Sequence, residues 1–298
     1  MKNKKRKIGS DVFFSYAYLA PFLIAFFLFT ILPILISVFF SFTYFNVLEP
    51  PKWVFFQNYL KLFLSDDIFI IALKNTLIIA VIVGPVGYLM SLLFAWFINE
   101  LGDKLRTIMV LIFYAPSISG GVYTIWAIIF SGDAFGYVNS LLLYLNIIDS
   151  PIQWLTDTKY MLWLVIIVMI WQSLGAGFLS FVAGLRGIDR SYYEVGYIEG
   201  IRNRWQELWY ITLPTLRPQL MFGAVMSITG AFGCGSVTTA LCGSPSTDYG
   251  AHTILNHLTD YGTTRYDMGY ACTIATILFF IMYITNHIIQ KAITKIGN

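Results

Sequence analysis

The chain has 298 residues, of which 57% are hydrophobic and 12% are charged. Soluble domains carry about 25% charged residues, so a water-soluble globule is excluded, and a formal net charge of +3 gives no support for a nucleic-acid partner. The composition therefore predicts an all-α polytopic membrane protein, because a lipid-facing backbone must satisfy its own hydrogen bonds, as a helix does.

Six apolar stretches follow along the chain, and each has at least the roughly 20 residues that a helix needs to cross the hydrocarbon layer. Away from their ends they contain a single charged residue, Lys74. Proton and ion relays usually need buried acidic, basic or histidine side chains, so this composition argues against ion-coupled transport. The predicted transmembrane helices are residues 16–44, 69–98, 107–130, 160–185, 216–241 and 268–293.

The basic residues indicate how these helices are oriented. Residues 1–15 form a basic N-terminus, and the stretch that follows is too long for the apolar region of a signal peptide, so we expect it to be retained. With this N-terminus in the cytoplasm, lysines and arginines concentrate on the inner side, and both termini are cytoplasmic. The exceptions are Lys52, Lys61, Lys74, Lys159 and Arg265.

Reactive side chains are few and scattered. Cys234, Cys242 and Cys272 match no metal-binding or redox spacing. His252 and His257 lie five residues apart with no third ligand nearby, so no metal site is predicted.

The segment from 186 to 217 lies between the fourth and fifth predicted helices and is cytosolic in this orientation. Ser191 followed by Glu194 has the spacing of a capping box and predicts the start of a short helix. Gly200 permits a sharp turn at its end. A second short helix is predicted by the helical spacing of Trp205, Leu208, Trp209 and Thr212.

Aromatic side chains give this helix–turn–helix more apolar surface than a simple connection needs. Such a surface usually contacts a partner, but aromatic rings at the level of the lipid headgroups, with arginines on phosphates, explain it equally well. The physical argument alone leaves both interpretations open. The segment resembles the EAA motif of binding-protein-dependent ABC importer permeases, a cytosolic loop that docks into a groove on the ATPase subunit, and this resemblance favours the first.

The family pattern is Glu-Ala-Ala, three residues, Gly, nine residues and Ile-x-Leu-Pro. Glu194 and Gly200 stand at two fixed positions, while Val195 and Gly196 replace the alanines, and ten residues rather than nine separate Gly200 from Ile211. The additional residue leaves the angle between the two short helices open. The resemblance implies an ATPase-coupling role for Tyr193, Glu194, Gly196, Glu199, Gly200, Leu213 and Pro214.

The resemblance extends over most of the chain. The first helix with Pro33, the segment 55–78 and the segment 115–130 are similar to the corresponding parts of the maltose- and glycerol-phosphate-type carbohydrate permeases. This implies the type I ABC importer permease fold in a six-helix form. Residues 16–298 are then the transmembrane permease domain, with 70–293 as its core and the segment described above as the coupling loop.

No lysine in the chain follows a glycine, so the phosphate-binding loop G-x-x-x-x-G-K-[ST] is absent. We therefore expect no enzymatic activity and no cofactor in this chain, with ATP and Mg²⁺ bound by separate ATPase subunits. The resemblance implies a complex of two similar permeases, two ATPases and an extracytoplasmic binding protein in the cell membrane. The outer segments 132–159 and 243–267 either receive that binding protein or are solvated loops, and 135–148 is predicted to be a short surface helix.

The resemblance also implies a sugar or oligosaccharide as substrate, and the sequence does not name the sugar. Aromatic faces with neutral hydrogen-bonding groups suit sugars, and the near absence of buried charge favours a neutral one. Small polar residues also pack helices together with no ligand, and the path can lie in the partner permease instead. The residues proposed for the path are Ser119, Tyr123, Trp126, Trp171, Gln172, Ser173, Ser227 and Thr229.

The alternative function is a self-contained secondary carrier or channel for a neutral solute. Such a protein is expected to carry intramembrane carboxylates or an internal inverted repeat. The sequence has no carboxylate within the predicted helices and no evident repeat, so an import permease is the leading interpretation.

Overall fold

The computed structural model describes the backbone of residues 8–294 and the side chains of Tyr16 and of residues 18–294, so part of the predicted basic N-terminus lies outside the described residues. Within this part of the chain the structure is helical apart from one hairpin of two short strands. Five described stretches are long and apolar enough to cross a membrane. They are Tyr18–Phe40, Asp67–Asn99, Thr158–Arg186, Arg217–Cys242 and Met268–Ile293.

The first stretch and its connection to the second contain six elements. In chain order they are α1 (Ile8–Phe26), a π-helical turn (Phe27–Ile31), α2 (Leu32–Phe40), β1 (Thr43–Tyr44), its antiparallel partner β2 (Lys52–Trp53) and α3 (Gln57–Leu64). Pro33 lies in the first turn of α2, directly after the π-helical turn. Asn58 of α3 donates to the carbonyl oxygens of Ser41 and Thr43, at 3.0 and 2.9 Å, so α3 is tied to the end of α2.

The remaining part of the chain begins with one long helix, α4 (Asp67–Asn99), which has 33 residues. The helices that follow it are α5 (Asp103–Ile118), α6 (Val122–Ile129), α7 (Tyr137–Tyr144), α8 (Thr158–Gln172), α9 (Ala176–Arg186), α10 (Arg190–Ile198), α11 (Arg204–Glu207), α12 (Leu213–Thr215), α13 (Arg217–Phe232), α14 (Gly235–Cys242), α15 (Ile254–Thr259) and α16 (Met268–Ile293). α4 packs against both α9 and α13. Asp66 precedes α4 and Glu100 follows it, and the two ends of the bundle are named the Asp66 end and the Glu100 end.

Three of the predicted spans are interrupted. The predicted span 107–130 is divided into α5 and α6, whose axes differ by 85°. Pro116 removes a helical hydrogen bond in the last turn of α5, and Gly121 precedes α6. α8 is separated from α9, and α13 from α14, by short breaks at Gly175 and Gly233. The prediction of six transmembrane helices is confirmed, with the third as a bent pair.

Two glycines allow α9 and α13 to cross at close range. A Cβ atom added at Gly177 would lie 3.4 Å from the Cα atom of Gly223, and one added at Gly223 would overlap the ring of Phe181. That ring in turn packs edge-on against Tyr88 of α4, with ring centroids 5.6 Å apart. Small residues hold helices together in lipid by letting their backbones approach, so this crossing is the centre of the α4–α9–α13 packing.

Asp66 is the centre of a buried polar cluster at its end of the bundle. Its carboxylate accepts hydrogen bonds from the Phe69 N–H (3.0 Å) and the Tyr270 hydroxyl (2.7 Å) and pairs with His257 Nε2 at 3.0 Å. Burial acts to raise the pKa of Asp66, but the hydrogen bonds from His257, Tyr270 and Phe69 outweigh it and lower the pKa to about 2. The carboxylate is therefore ionised throughout the physiological range and joins the start of α4 to α15 and α16.

The predicted outer segment 243–267 is in part packed into the bundle beside this cluster. The side-chain amide of Asn75 in α4 donates to the carbonyl oxygens of Tyr249, Gly250 and His252 at 3.2, 3.2 and 3.0 Å. Burial lowers the pKa of His252 to about 4, so its ring is neutral at physiological pH. This part of the segment is therefore a structural insertion between helices rather than a solvated loop.

The other predicted outer segment, 132–159, folds around the fully buried Asn139. Its amide group donates to three backbone carbonyl oxygens, and its oxygen accepts from the Ile152 N–H (3.1 Å) and the Trp154 indole N–H (2.9 Å). The segment contains the short helix α7 that the sequence predicts. Large apolar side chains of this region that stay exposed are Phe135, Tyr137, Leu141, Tyr144, Leu145 and Ile147.

Replacing Asp66 by alanine is expected to destabilise the detergent-solubilised protein far more than the same change at Asp157. Asp157 caps α8 from an exposed position, through the Lys159 N–H at 2.9 Å, so its loss costs about 1 kcal/mol. Loss of Asp66 also leaves His257 and Tyr270 buried without their acceptor, which costs about 3–5 kcal/mol. The midpoint of thermal unfolding measures both variants. Equal shifts would show that Asp66 acts only as a helix cap.

Candidate functional site

The predicted coupling loop begins with a cap other than the one the sequence indicates. The capping-box prediction for Ser191 is wrong, because Asp189 has the extended backbone of a capping residue and its carboxylate accepts from the Ser191 N–H at 3.0 Å. α10 therefore begins at Arg190 and places Glu194 in its second turn. Gly200 then reverses the chain with φ +95°, a conformation that favours glycine, as the sequence predicts.

The second half of the loop is a nearly continuous helix with one wider turn. Asn203 caps α11 by accepting from the Gln206 N–H at 2.8 Å. The chain then forms a π-helical turn, Leu208–Thr212, before α12 and α13. A π-helical turn holds more residues than an α-helical turn, so it accommodates the additional residue between Gly200 and Ile211.

The residues predicted to couple to the ATPase divide into exposed and packed ones. Glu194, Glu199 and Gly200 are exposed. Tyr193 is half-buried, with its hydroxyl 3.0 Å from the Thr212 hydroxyl. The packed residues are Gly196, whose added Cβ would lie 2.5 Å from Ile211 Cδ1, the buried Leu213, and Pro214 at the start of α12.

The loop presents an apolar surface beyond these residues. Val195 and Ile198 of α10 are 56% and 85% exposed, and Trp209 in the π-helical turn is 66% exposed. An exposed apolar patch on a rigid helical segment is the kind of surface that contacts another protein. The sequence predicts an apolar surface on this loop, and the structure places these three side chains on its outside.

The interrupted helices line a cavity of about 350 Å³. Tyr123 donates from its hydroxyl to Gln172 Oε1 at 2.9 Å, and Gln172 Nε2 donates to the Pro116 carbonyl oxygen at 3.3 Å. The cavity is therefore bordered by a connected set of neutral polar groups. Among the residues that the structure describes, those lining it carry no charged side chain and include Ser117, Tyr123, Gln172, Ser173, Ser227 and Ser236.

Half of the residues predicted for the substrate path line this cavity, namely Tyr123, Gln172, Ser173 and Ser227. The other half lie elsewhere. Trp126 and Trp171 pack against each other with ring centroids 5.3 Å apart, the Thr229 hydroxyl donates to Val225 O of its own helix, and Ser119 ends α5.

Sequence reasoning missed the contribution of α4 to the cavity. Val83 and Gly87 line it, and a Cβ atom added at Gly87 would lie 2.7 Å from Ser173 Cβ. The closely spaced Gly84, Pro85 and Gly87 on an otherwise bulky helix are the signal that could have identified this approach, because small residues mark close helix contacts.

Comparison with known proteins identifies the class of this protein. Residues 85–295 match the family described as binding-protein-dependent transport system inner membrane component. The chain belongs to this family and is a membrane-embedded transport permease rather than a catalytic subunit. The match includes the C-terminal part of α4 from Pro85 onward, all the helices from α5 to α16 and the predicted coupling loop.

Particular relatives define the group more closely. The chain is 36% identical over 232 residues to a probable ABC transporter permease, YesP of Bacillus subtilis (strain 168), covering 77% of this chain and 73% of YesP. It is 29% identical to the arabinooligosaccharides transport system permease AraP of the same organism, covering 94% and 90%. A solved bacterial alginate ABC transporter, in complex with an alginate pentasaccharide-bound periplasmic protein, matches with a TM-score of 0.73, 26% identity and 94% and 95% coverage. The predicted ABC importer permease fold is confirmed.

Proposed function

We propose that this chain is the permease subunit of an ATP-driven importer for a neutral sugar or oligosaccharide delivered by an extracytoplasmic binding protein. The observation that carries the proposal is the cavity between the interrupted helices, bordered by hydroxyl and amide groups. Sugars offer many hydroxyl groups and apolar C–H faces, which neutral donors, acceptors and aromatic rings satisfy.

The charge of the cavity distinguishes this substrate from that of the structural relative. Alginate is an acidic polysaccharide, and recognition of a carboxylate favours arginine or lysine. The described residues that line the present cavity include no cationic side chain. A neutral substrate, as the name of AraP indicates for that relative, therefore fits this chain better than a uronate.

The partners and the orientation belong to the same proposal. The Glu100 end of the bundle faces the cytoplasm, together with both termini, because most lysines and arginines of the described residues lie at that end. An ATPase subunit docks on the exposed surface of α10 and the π-helical turn, and it binds ATP and Mg²⁺. A second, similar permease completes the pathway, and a second ATPase docks on it.

Uptake by the reconstituted complex tests the proposal. The chain is coexpressed with the binding protein, permease and ATPase of neighbouring reading frames and is reconstituted into lipid vesicles with ATP inside. Arabinotriose, maltotriose and an alginate trisaccharide serve as probes. We expect ATP-dependent uptake of a neutral trisaccharide and none of the alginate trisaccharide. Preference for the alginate trisaccharide would contradict the neutral-sugar proposal, and uptake without ATP would contradict an ATP-driven importer.

Replacing Gln172 by leucine is expected to lower the uptake of the neutral sugar about tenfold. The change removes a polar group from the cavity and leaves the Tyr123 hydroxyl without its acceptor, and a hydrogen bond of about 1.4 kcal/mol corresponds to a factor of ten. Gln290→Leu, in α16 and outside the cavity lining, is the matched control and should transport normally. Equal uptake by the two variants would place the substrate path elsewhere.

A further inference from the structure

α4 and α5 are joined by a tight turn. The turn together with the helix ends beside it, residues 99–106, is here called the inner turn. Arg106 donates from Nη2 to the carbonyl oxygens of Asn99 (2.9 Å) and Leu101 (2.7 Å), and from Nη1 to Asp103 Oδ1 (3.0 Å). The last carbonyl groups of a helix lack helical partners and carry partial negative charge. A guanidinium that binds them fixes the end of α4 relative to α5.

The coupling loop is attached to the inner turn through the start of α11. Arg204 donates from Nη2 to the carboxylate of Glu100 and from Nη1 to Glu207 Oε2 at 3.0 Å. The next residue, Trp205, packs against Trp96 in the last turn of α4, with ring centroids 5.2 Å apart. One ion pair and one aromatic contact thus join the same two helices.

α10, in contrast, has an open space between itself and the inner turn. A cleft of about 1060 Å³ lies there, lined by Tyr193 and Glu194 of α10 and by Glu100 and Asp103. A longer contact joins Arg186, at the end of α9, to Asp103 at 3.4 Å. The closest side-chain contacts of α10 run to the π-helical turn, from Tyr193 to Thr212 and from Gly196 to Ile211, so α10 and the part of the loop that touches α4 are expected to move together.

From this geometry we infer that the Glu100–Arg204 ion pair and the Trp96–Trp205 contact form the link through which movement of the coupling loop reaches α4. The inference rests on the proposed function, because it presupposes an ATPase docked on the loop. Glu100 and Arg204 are positioning residues, since neither lines the sugar cavity. α4 does line it, through Gly87, so one helix connects the link to the cavity.

The ion pair is placed to transmit movement rather than to stabilise the fold. The side chains of Arg204 and Glu100 are 61% and 40% exposed, and exposed ion pairs contribute little to folding because solvent screens them. Its removal should therefore leave expression, assembly and thermal stability unchanged. Fewer sugar molecules taken up per ATP hydrolysed, at unchanged stability, would then identify the link.

A double-mutant cycle in the reconstituted complex tests the inference. E100Q, R204Q and the E100Q/R204Q variant are compared by the number of sugar molecules taken up per ATP hydrolysed, with arabinotriose or maltotriose, whichever the wild type takes up. We expect each single variant to lower this ratio about fivefold, the lower end of typical coupling between sites. The double variant should lower it no further, because the same ion pair is lost in all three variants while the Trp96–Trp205 contact is kept in all three.

Arg202→Gln is the matched control, because Arg202 is an exposed arginine of the same loop and forms no ion pair within the described residues. It should keep the wild-type ratio. Single variants with an unchanged ratio, or losses that multiply in the double variant, contradict the link. Failure of the single variants to copurify with the ATPase indicates a docking role and also contradicts it. A wild-type complex without sugar-dependent ATP hydrolysis contradicts the proposed function and the link together.

Discussion

Replacing Gly200 by valine is expected to abolish uptake while the protein still inserts into the membrane. The backbone at Gly200 has φ +95°, where a β-branched residue is a severe outlier and a non-glycine residue costs of order 1–3 kcal/mol. No atom lies within 4 Å of an added Cβ, so the effect arises from the backbone and not from a clash. The chain relieves the strain by rotating α10 away from its position, and the docking surface is lost. Sugar uptake in vesicles and copurification of the ATPase measure the two consequences.

Gly200→Asn is the control for this prediction. Asparagine tolerates left-handed backbone conformations several-fold better than other side chains, so this variant should keep a substantial part of the uptake. A valine variant that is expressed normally and transports normally would show that coupling does not need the turn at Gly200.

Replacing Gly223 by leucine is expected to prevent the bundle from folding. The new side chain would occupy the space of the Phe181 ring, which packs between α13 and α4, and inserting extra bulk into a packed core costs about 1–3 kcal/mol or more. α9 and α13 must then separate along their whole crossing. Size-exclusion chromatography of the detergent-solubilised protein should show aggregation in place of a single symmetric peak.

The Gly230→Leu variant, on the same helix, distinguishes a loss of folding from a loss of transport. No atom lies within 4 Å of an added Cβ at Gly230, and this residue lines the cavity. The variant should fold normally and lose uptake, because its side chain fills part of the cavity. A Gly223→Leu protein that elutes as a single stable species would show that the α9–α13 crossing is less tightly packed than the structure indicates.

The sequence predicts the membrane spans well because the signal is local. Length and absence of charge are properties of each stretch by itself, and five of the six spans agree with the structure within a few residues. The bend between α5 and α6 was not predicted. Hydropathy averaged over a stretch does not register the effect of Pro116 and Gly121 on the backbone. The choice between Ser191 and Asp189 as the cap of α10 depends on backbone angles, and two candidate residues this close in sequence cannot be ranked by spacing alone.

Contacts between distant parts of the chain lie beyond this kind of prediction. Asp66 and His257 are far apart in sequence, so nothing local indicates that the segment around His257 is packed into the bundle. The substrate residues illustrate the same limit. Hydropathy identifies the helices that carry Trp171 and Gln172, but it does not determine which of these neighbours faces the cavity, and helix packing places only Gln172 there.

The three interrupted helices have a consequence for how tightly a sugar is held. The first N–H and last C=O groups of each helix lack partners within that helix, and lipid cannot supply them. Side chains satisfy some of these groups, as Gln172 does for the Pro116 carbonyl oxygen, and the others depend on water in the cavity. A sugar hydroxyl that enters then exchanges one hydrogen bond to water for one of similar strength to the protein. Such an exchange gives only modest net affinity, so we expect the permease to hold a neutral sugar loosely and to release it readily.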